Sequence, residues 1–581
     1  MEEPTLQALL ATASLLGIMS HQLLFKRFEV DTQPLLLLLA VPTCPIVLRY
    51  ILTVPWTSSL LATASYMVSL FASLTVHRLY LHPLHHFPGP PLAKLTKLYS
   101  LFTVARSGSR WHHVNAALHA QYGDYVRTGP RELSVADPAA VSHILGYGAK
   151  THKGPFYESM EKSVSTTRDR NFHTQRRKVW DSSLKTRRTK PVLATYTPQL
   201  EEFTGALIRR IRSRLDKPVV INELFLNYSY DVMTQLAFGE PGGFISGDRS
   251  EASHSVMAGL EEATSAIGLL CHVPWMMSLL TTFAFLPGPL KWFNQWSNMM
   301  LNQRRKRGSE KPDLMGYLLA HTPKTRKGDE LLFSESRVII VAGSDTTATT
   351  LTTIFTILAS DPKLQRSVRA EVDPLLLSPP LQSSAPPTRF RCDVEYPVLD
   401  SIIKETLRLY PTVLFATRRT NTTEEIVIPH HSTPSTTTTT TTSRPPSSPL
   451  AAASATRIPR DTVVSMPPYV LHRDPRNFAH PGDFIPERWT TRPELVLNRH
   501  AFIPFSTGIT NCPGRKLAMM ELRDVVARVL HEFEPRLAGA GSRAGESFDV
   551  ETWMGETRDY LVAKVPRVEL EFAERFPERM S

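Results

Sequence analysis

The sequence predicts a mainly α protein with a small β part, preceded by apolar helices long enough to cross a membrane. Three observations predict it. Apolar stretches of near-span length crowd the N-terminus, from Thr5 to Phe25, Pro34 to Val54 and Ser58 to Val76. Amphipathic helical periodicity dominates roughly residues 92–410, as in Leu200 to Leu215 and Glu335 to Ser360. The strand-like pieces are short, "DYVRTGPRELSVAD", "EEIVIP" and "TVVSMPPYVL", with alternating or β-branched residues.

Each apolar stretch is about as long as the hydrocarbon core requires, so three crossings are expected. The start Met1-Glu2-Glu3 lacks the basic opening of a signal peptide. Lys26 and Arg27 follow the first stretch, and His77 and Arg78 follow the third. The excess of cations on cytosolic flanks then places the N-terminus outside and the rest of the chain in the cytosol. Arg49 and two prolines weaken the second stretch as a span. Pro88-Gly89-Pro90-Pro91 cannot continue a helix and forms a stiff hinge, so residues 1–82 are expected to be anchor and linker and 83–581 one catalytic domain. Within that domain a Thr-, Ser- and Pro-rich tract at about 430–457 has too little apolar surface to fold and is expected to be a disordered insertion.

With 42% hydrophobic and 21% charged residues, the body can form a core. The net charge of +12 points to an acidic partner or an anionic membrane face. No finger, basic zipper or RNA-binding signature accompanies it, so nucleic acid is not an expected partner. The cysteines, Cys44, Cys271, Cys392 and Cys512, have no paired spacing, which argues against a disulfide framework or a zinc site.

Cys512 stands apart from the other three. It sits in "FSTGITNCPG", Phe505 to Gly514, between Gly508 and Gly514 and just ahead of a helix. Turns at the glycines can aim amides at the sulfur, and the helix start adds its positive end, so a thiolate is favoured there. One thiolate cannot close a four-ligand zinc site, but it suffices as the axial ligand of a haem. The stretch resembles the haem-binding loop of the cytochrome P450 family, and further stretches of that family follow the same order along the chain.

Glu405 and Arg408 in "KETLRLYP" are three apart on a helix, and Arg488 lies in "DFIPERW". The resemblance implies that they form a buried Glu-Arg-Arg network behind the haem. Ala342 to Thr346, in a long apolar helix, resembles the oxygen-binding stretch. Thr346 can bond back to the Ala342 carbonyl and open the helix locally. The resemblance makes Asp345 a proton relay and Thr346 a partner in O–O cleavage, and it supplies the reason for Gly343 inside a helix. In "TTRDRNFHTQRRKVWDSSLK", His173 and Arg177 are one turn apart and are expected at the haem propionates. Arg176, Lys178, Lys185, Arg187 and Arg188 are expected on a reductase-facing surface.

The family usually carries Arg or His two residues before the cysteine, where this chain has Thr510. A hydroxyl supplies no charge-assisted bond, so haem retention is expected to lean on His173, Arg177 and Arg418. The motifs resemble membrane-bound fungal members most. The implied function is a haem b monooxygenase that inserts one atom of O2 into a lipophilic small molecule, in secondary metabolism or xenobiotic oxidation. NADPH-cytochrome P450 reductase would supply electrons, with cytochrome b5 a second candidate donor, at the endoplasmic reticulum membrane. Two alternatives stay open: a reductase-independent isomerase or dehydratase, and a catalytically impaired haem-binding relative.

Overall fold

The structure, a computed structural model, describes residues 6–26, 34–51, 53–184, 196–215, 217–246, 250–282, 288–308, 313–377, 390–415, 419–421, 424–429, 455–539 and 548–576. Arg418, Lys185, Arg187 and Arg188 lie outside the described residues, as does most of the Thr-rich tract.

At the N-terminus, Leu6–Phe25 and Trp56–Leu81 are the helices long and apolar enough to cross a membrane in this region. They pack closely because small residues face each other. Ser14 and Ser65 hydroxyls lie 2.7 Å apart, and a Cβ on Gly17 would come within 2.4 Å of the Tyr66 carbonyl oxygen. Ser14 faces Ser65, Gly17 faces Ser69 and His21 faces Ser73, so the two helices run parallel. The helix between them, Pro34–Tyr50, has 17 residues with Pro42 and Pro45 inside it. Its rise of about 26 Å falls a little short of a ~30 Å core. The Pro-rich hinge is docked rather than free: Pro88 accepts a 2.7 Å bond from the Arg127 amide. Gly89 adopts φ +153 with the Arg127 carbonyl oxygen 2.4 Å from where a Cβ would be, so no larger residue fits that contact.

The body is built around one helix, Arg326–Ser360, whose apolar window is 61% buried inside the protein. It is long and apolar enough to cross a membrane, but the burial of its apolar part marks it as a core helix. Ile221–Phe238 packs along it. The helices Pro397–Leu409 and Arg515–Glu532 complete the same hydrophobic core. The largest sheet has five strands, in the order Tyr125–Gly129, Glu132–Val135, Val463–Ser465, Arg419–Asn421 and Thr151–Lys153. Glu132–Val135 pairs parallel with Val463–Ser465, and the other neighbours are antiparallel. The fold is therefore the mainly α arrangement with small sheets that the periodicity predicts.

The expected insertion begins and ends in a hairpin. Ile426–Ile428 pairs antiparallel with Thr456–Ile458, with Ile428 opposite Thr456. Thr456 and Arg457, counted with the tract from composition, belong to this strand, because Ile458 and Ile426 bury against the neighbouring core.

Candidate functional site

The cysteine loop is fixed by its own backbone. The Cys512 amide donates to the Phe505 carbonyl at 2.9 Å, and Gly508–Thr510 forms one short 3-10 turn. Gly508 has φ +73, and a Cβ there would lie 1.9 Å from the Leu145 carbonyl oxygen, so glycine is required. The helix Arg515–Glu532 starts directly behind Gly514, and the Arg515 guanidinium stands 5.7 Å over the Phe505 ring.

Cys512 is exposed, yet it sits among enough protein to be partly desolvated. Burial raises its pKa. The Gly514 amide, the Arg177 charge and the Arg515 amide and charge pull in the opposite direction, toward thiolate. Ala342, in the middle of the core helix, is likewise exposed. Among the described residues no group of three or more His, Cys, Asp or Glu is placed to hold a bare metal ion. A single exposed sulfur, held by backbone amides, is a donor set that fits a haem.

Arg177 is half-buried and committed to this loop. It donates to the Asn511 carbonyl at 2.6 Å and to Asn511 Oδ1 at 2.7 Å, with Asp181 Oδ1 at 2.8 Å from its Nε. It thus clamps the residue before Cys512, a contact different from the propionate partner expected of it. His173 is buried one turn earlier on the same helix. Arg176 departs from expectation. Its Nε lies 3.0 and 2.9 Å from the two carboxylate oxygens of Glu335 on the core helix, and Trp180 donates to the same carboxylate at 3.2 Å. Glu335 is fully buried and draws Arg176 inward, so Arg176 is removed from any reductase-facing surface, whereas Lys178 stays exposed.

On the core helix, Thr346 Oγ1 donates to the Ala342 carbonyl at 2.8 Å, as its spacing predicts. The expected local opening is absent: Arg326–Ser360 is α-helical throughout. The hydroxyl shares the carbonyl with the helical amide instead of displacing it, as Thr350, Thr353 and Thr356 do further along. Gly343 has a packing reason of its own, since a Cβ would sit 2.1 Å from the Met233 sulfur on Ile221–Phe238. Asp345 receives a 3.2 Å bond from the Tyr230 hydroxyl. Burial raises the Asp345 pKa to about 6, and the Tyr230 bond opposes that rise. Both residues border a cavity of about 120 Å³ that also meets Glu261, Thr349 and Lys564.

Glu405, Arg408 and Arg488 form one buried hydrogen-bonded cluster. Glu405 accepts from Arg408 at 3.0 and 2.8 Å, from Arg488 at 2.9 Å, from the Ile485 amide at 2.9 Å and from Trp489 at 2.9 Å. His472 extends it toward the cysteine. Its Nδ1 lies 3.1 Å from the Arg408 carbonyl, and its Nε2 accepts the Ile503 amide at 3.0 Å, so Nδ1 carries the proton. Burial holds this imidazole neutral, with its pKa pushed down to about 3. The Ile503 carbonyl then receives the Ser506 amide at the mouth of the loop. Neither His472 nor Tyr230 is marked by a local motif; only the histidine after "YVL", ahead of "RDP", offered a hint.

Phe156, Cys271 and Phe415 share one apolar cluster with Trp111. Met554 packs with Ile357 and Tyr410 in a separate cluster, while the Gly555 carbonyl lies 3.1 Å from His113 Nε2.

The profile described as Cytochrome P450 matches residues 88–442 and 436–543 of the chain. Cytochrome P450 monooxygenase orf5 of Eupenicillium brefeldianum is 36% identical over 83% of this chain and 91% of its own length. Cytochrome P450 monooxygenase nodW of Hypoxylon pulicicidum is 33% identical, covering 91% and 92%. Tryprostatin B 6-hydroxylase of Aspergillus fumigatus is 30% identical, covering 82% and 79%.

Proposed function

The chain belongs to the cytochrome P450 family and is a monooxygenase. On that premise we propose that it oxidises a lipophilic small molecule of fungal secondary metabolism, drawing electrons from NADPH through a membrane-bound reductase. The single observation that supports this best is the Cys512 sulfur, held by an amide-lined turn and left exposed. Cys512 would ligate the haem iron, Phe505, Gly508 and Gly514 would shape the loop under it, and His173 would lie at its acidic edge. Arg177 would hold the loop through Asn511, and Arg418 is retained as a further anion partner. When bound, the haem supplies the binding and reductive activation of O2.

The chain's own residues manage the protons. Asp345, with its pKa raised to about 6, can hold or release a proton near neutral pH. Tyr230 steadies its charged form. Thr346 gives its hydrogen to Ala342, which leaves the oxygen lone pairs turned outward to accept. Phe156, Cys271 and Phe415 supply an apolar wall for substrate. Because the two long N-terminal helices run parallel, the chain must recross between them, and Pro34–Tyr50 would do so. Three crossings at the endoplasmic reticulum would leave the body in the cytosol.

A carbon monoxide difference spectrum of the reduced full-length protein tests the haem reading. A thiolate-type Soret band is expected, and a band of the histidine- or thiol-ligated type overturns it. Turnover that proceeds without NADPH and reductase would instead indicate a rearrangement catalyst. Arg177→Ala removes two charge-assisted bonds to Asn511, each worth about 1.5–3 kcal/mol. We expect a visibly larger fraction of non-thiolate species in that variant; an unchanged spectrum would sink the clamp. Tyr230→Phe removes a bond that favours the Asp345 carboxylate, so the Asp345 pKa should rise further. The acid limb of turnover against pH should then move up by roughly half to one unit. A limb that stays in place separates Asp345 from the rate.

A further inference from the structure

Where the anchor meets the body there is a cavity of about 490 Å³ with an unusual wall. Lys26 and Arg78 enter from the ends of the two parallel N-terminal helices, Arg131 from the hairpin turn after Tyr125–Gly129, and Arg168 and Arg460 from surface loops. Among the described residues the wall carries one carboxylate, Asp461, 3.8 Å from Arg460 Nε. Arg168 also meets Glu158 outside the cavity.

The charge continues beneath the wall. Arg127 is fully buried, and among the described residues its side chain meets only carbonyl oxygens, those of Arg78 at 2.8 Å, Pro130 at 2.7 Å and Leu84 at 3.4 Å. Its Nε has no hydrogen-bond partner among the described residues. Arg78 and Pro130 both line the cavity, so this cation, with no carboxylate partner among the described residues, lies directly behind it. The field is felt nearby: burial first, then Arg127, His77, Arg131 and Arg78, push the pKa of His82 in the wall down to about 3. A buried cation without a counter-charge is expensive, and an anion in the cavity would offset it. Phe25 and Leu74 border the same cavity from the membrane helices. Cations at the end of the spans with apolar side chains beside them match a phosphate on a diacylglycerol.

We propose that this junction is a binding site for the phosphate headgroup of an anionic phospholipid, which locks the anchor onto the catalytic body. The full-length chain is reconstituted in nanodiscs of phosphatidylcholine alone or with phosphatidic acid, and lipid retained on the detergent-released protein is read by native mass spectrometry. Wild type is expected to retain phosphatidic acid over phosphatidylcholine, and the double variant Arg131→Ala/Arg460→Ala, altered only at surface turns, to retain it roughly ten- to thirtyfold less. Equal retention by wild type and variant overturns the site. Thermal stabilisation in neutral nanodiscs by inorganic phosphate, equal to that by phosphatidic acid, overturns the lipid assignment in favour of a free anion. Because neither readout requires haem or turnover, failure here leaves the monooxygenase assignment intact.

Discussion

Glu405→Ala is expected to destabilise the catalytic body by about 3–5 kcal/mol, enough to leave little folded enzyme at physiological temperature. Glu405, Arg408 and Arg488 are all fully buried, and Glu405 is the one carboxylate between two guanidinium groups. Both arginines also donate to carbonyl oxygens, those of His472, Pro481 and Asp483 for Arg408 and of Ala479 and His480 for Arg488. Those carbonyls give direction but no net charge. Burial already pushes the Arg488 pKa below the usual arginine value, against the pull of Glu405. The desolvation of this cation is therefore only partly offset even in the intact network, and removing the carboxylate exposes all of it. The Ile485 amide and the Trp489 indole lose their acceptor in the same step. Urea titration of the full chain in detergent, followed by tryptophan fluorescence, should show the midpoint collapse. Glu405→Gln, which keeps the shape without the charge, should fall nearly as far. A midpoint within error of wild type for both would refute the charge argument.

The second large effect depends on pH. Asp559, on the strand Arg558–Tyr560, is buried with neither carboxylate oxygen hydrogen-bonded among the described residues, and burial raises its pKa from the ordinary 3.8 to about 8. His112 Nδ1 is 3.9 Å away; burial, reinforced by His113, Arg473 and Arg110, holds that imidazole neutral with its pKa pushed down to about 3. A folded-state pKa above the unfolded one means that the folded chain binds the proton more tightly. Its penalty is absent below about pH 4, grows by about 1.4 kcal/mol per unit as pH rises, and levels off above about 8. The total is on the order of 5 kcal/mol at alkaline pH. Asp559→Asn should therefore melt close to wild type at pH 4 and well above it at pH 9. If the two melting curves keep a constant separation across that range, Asp559 is not the titrating group.

How far the sequence reached depended on the distance over which each feature is encoded. Cys512 with its glycines, Glu405 with Arg408, and Thr346 with Ala342 each fall within a few residues, so the short motifs that carry the family resemblance contained them. The Arg488 contact was legible only because "PERW" accompanies it. Tyr230 and Asp345 are 115 positions apart and meet because Ile221–Phe238 packs on the core helix. Arg176 looked like one more cation in a basic run, and nothing near it announced the buried Glu335, 159 positions away. Burial reversed its role, from a partner-facing charge to an internal tie. The N-terminal helices show the opposite case: hydropathy marked them, but their parallel packing required Gly17 and the facing serines to be placed in space.

The hairpin of Ile426–Ile428 and Thr456–Ile458 has a consequence for the history of the chain. Paired strands hold the two ends of the tract one strand spacing apart, roughly 5 Å, so to the body the detour has almost no length. Closing a longer loop across such a gap raises the entropy cost only logarithmically, about 0.6 kcal/mol for each doubling. Mutational drift can lengthen or shorten the tract here with little penalty, while the same change inside the cysteine loop would break contacts at every residue. The hairpin is thus a seam where the gene can be cut and rejoined, for a reporter or a shortened crystallisation variant, without the fold registering the edit.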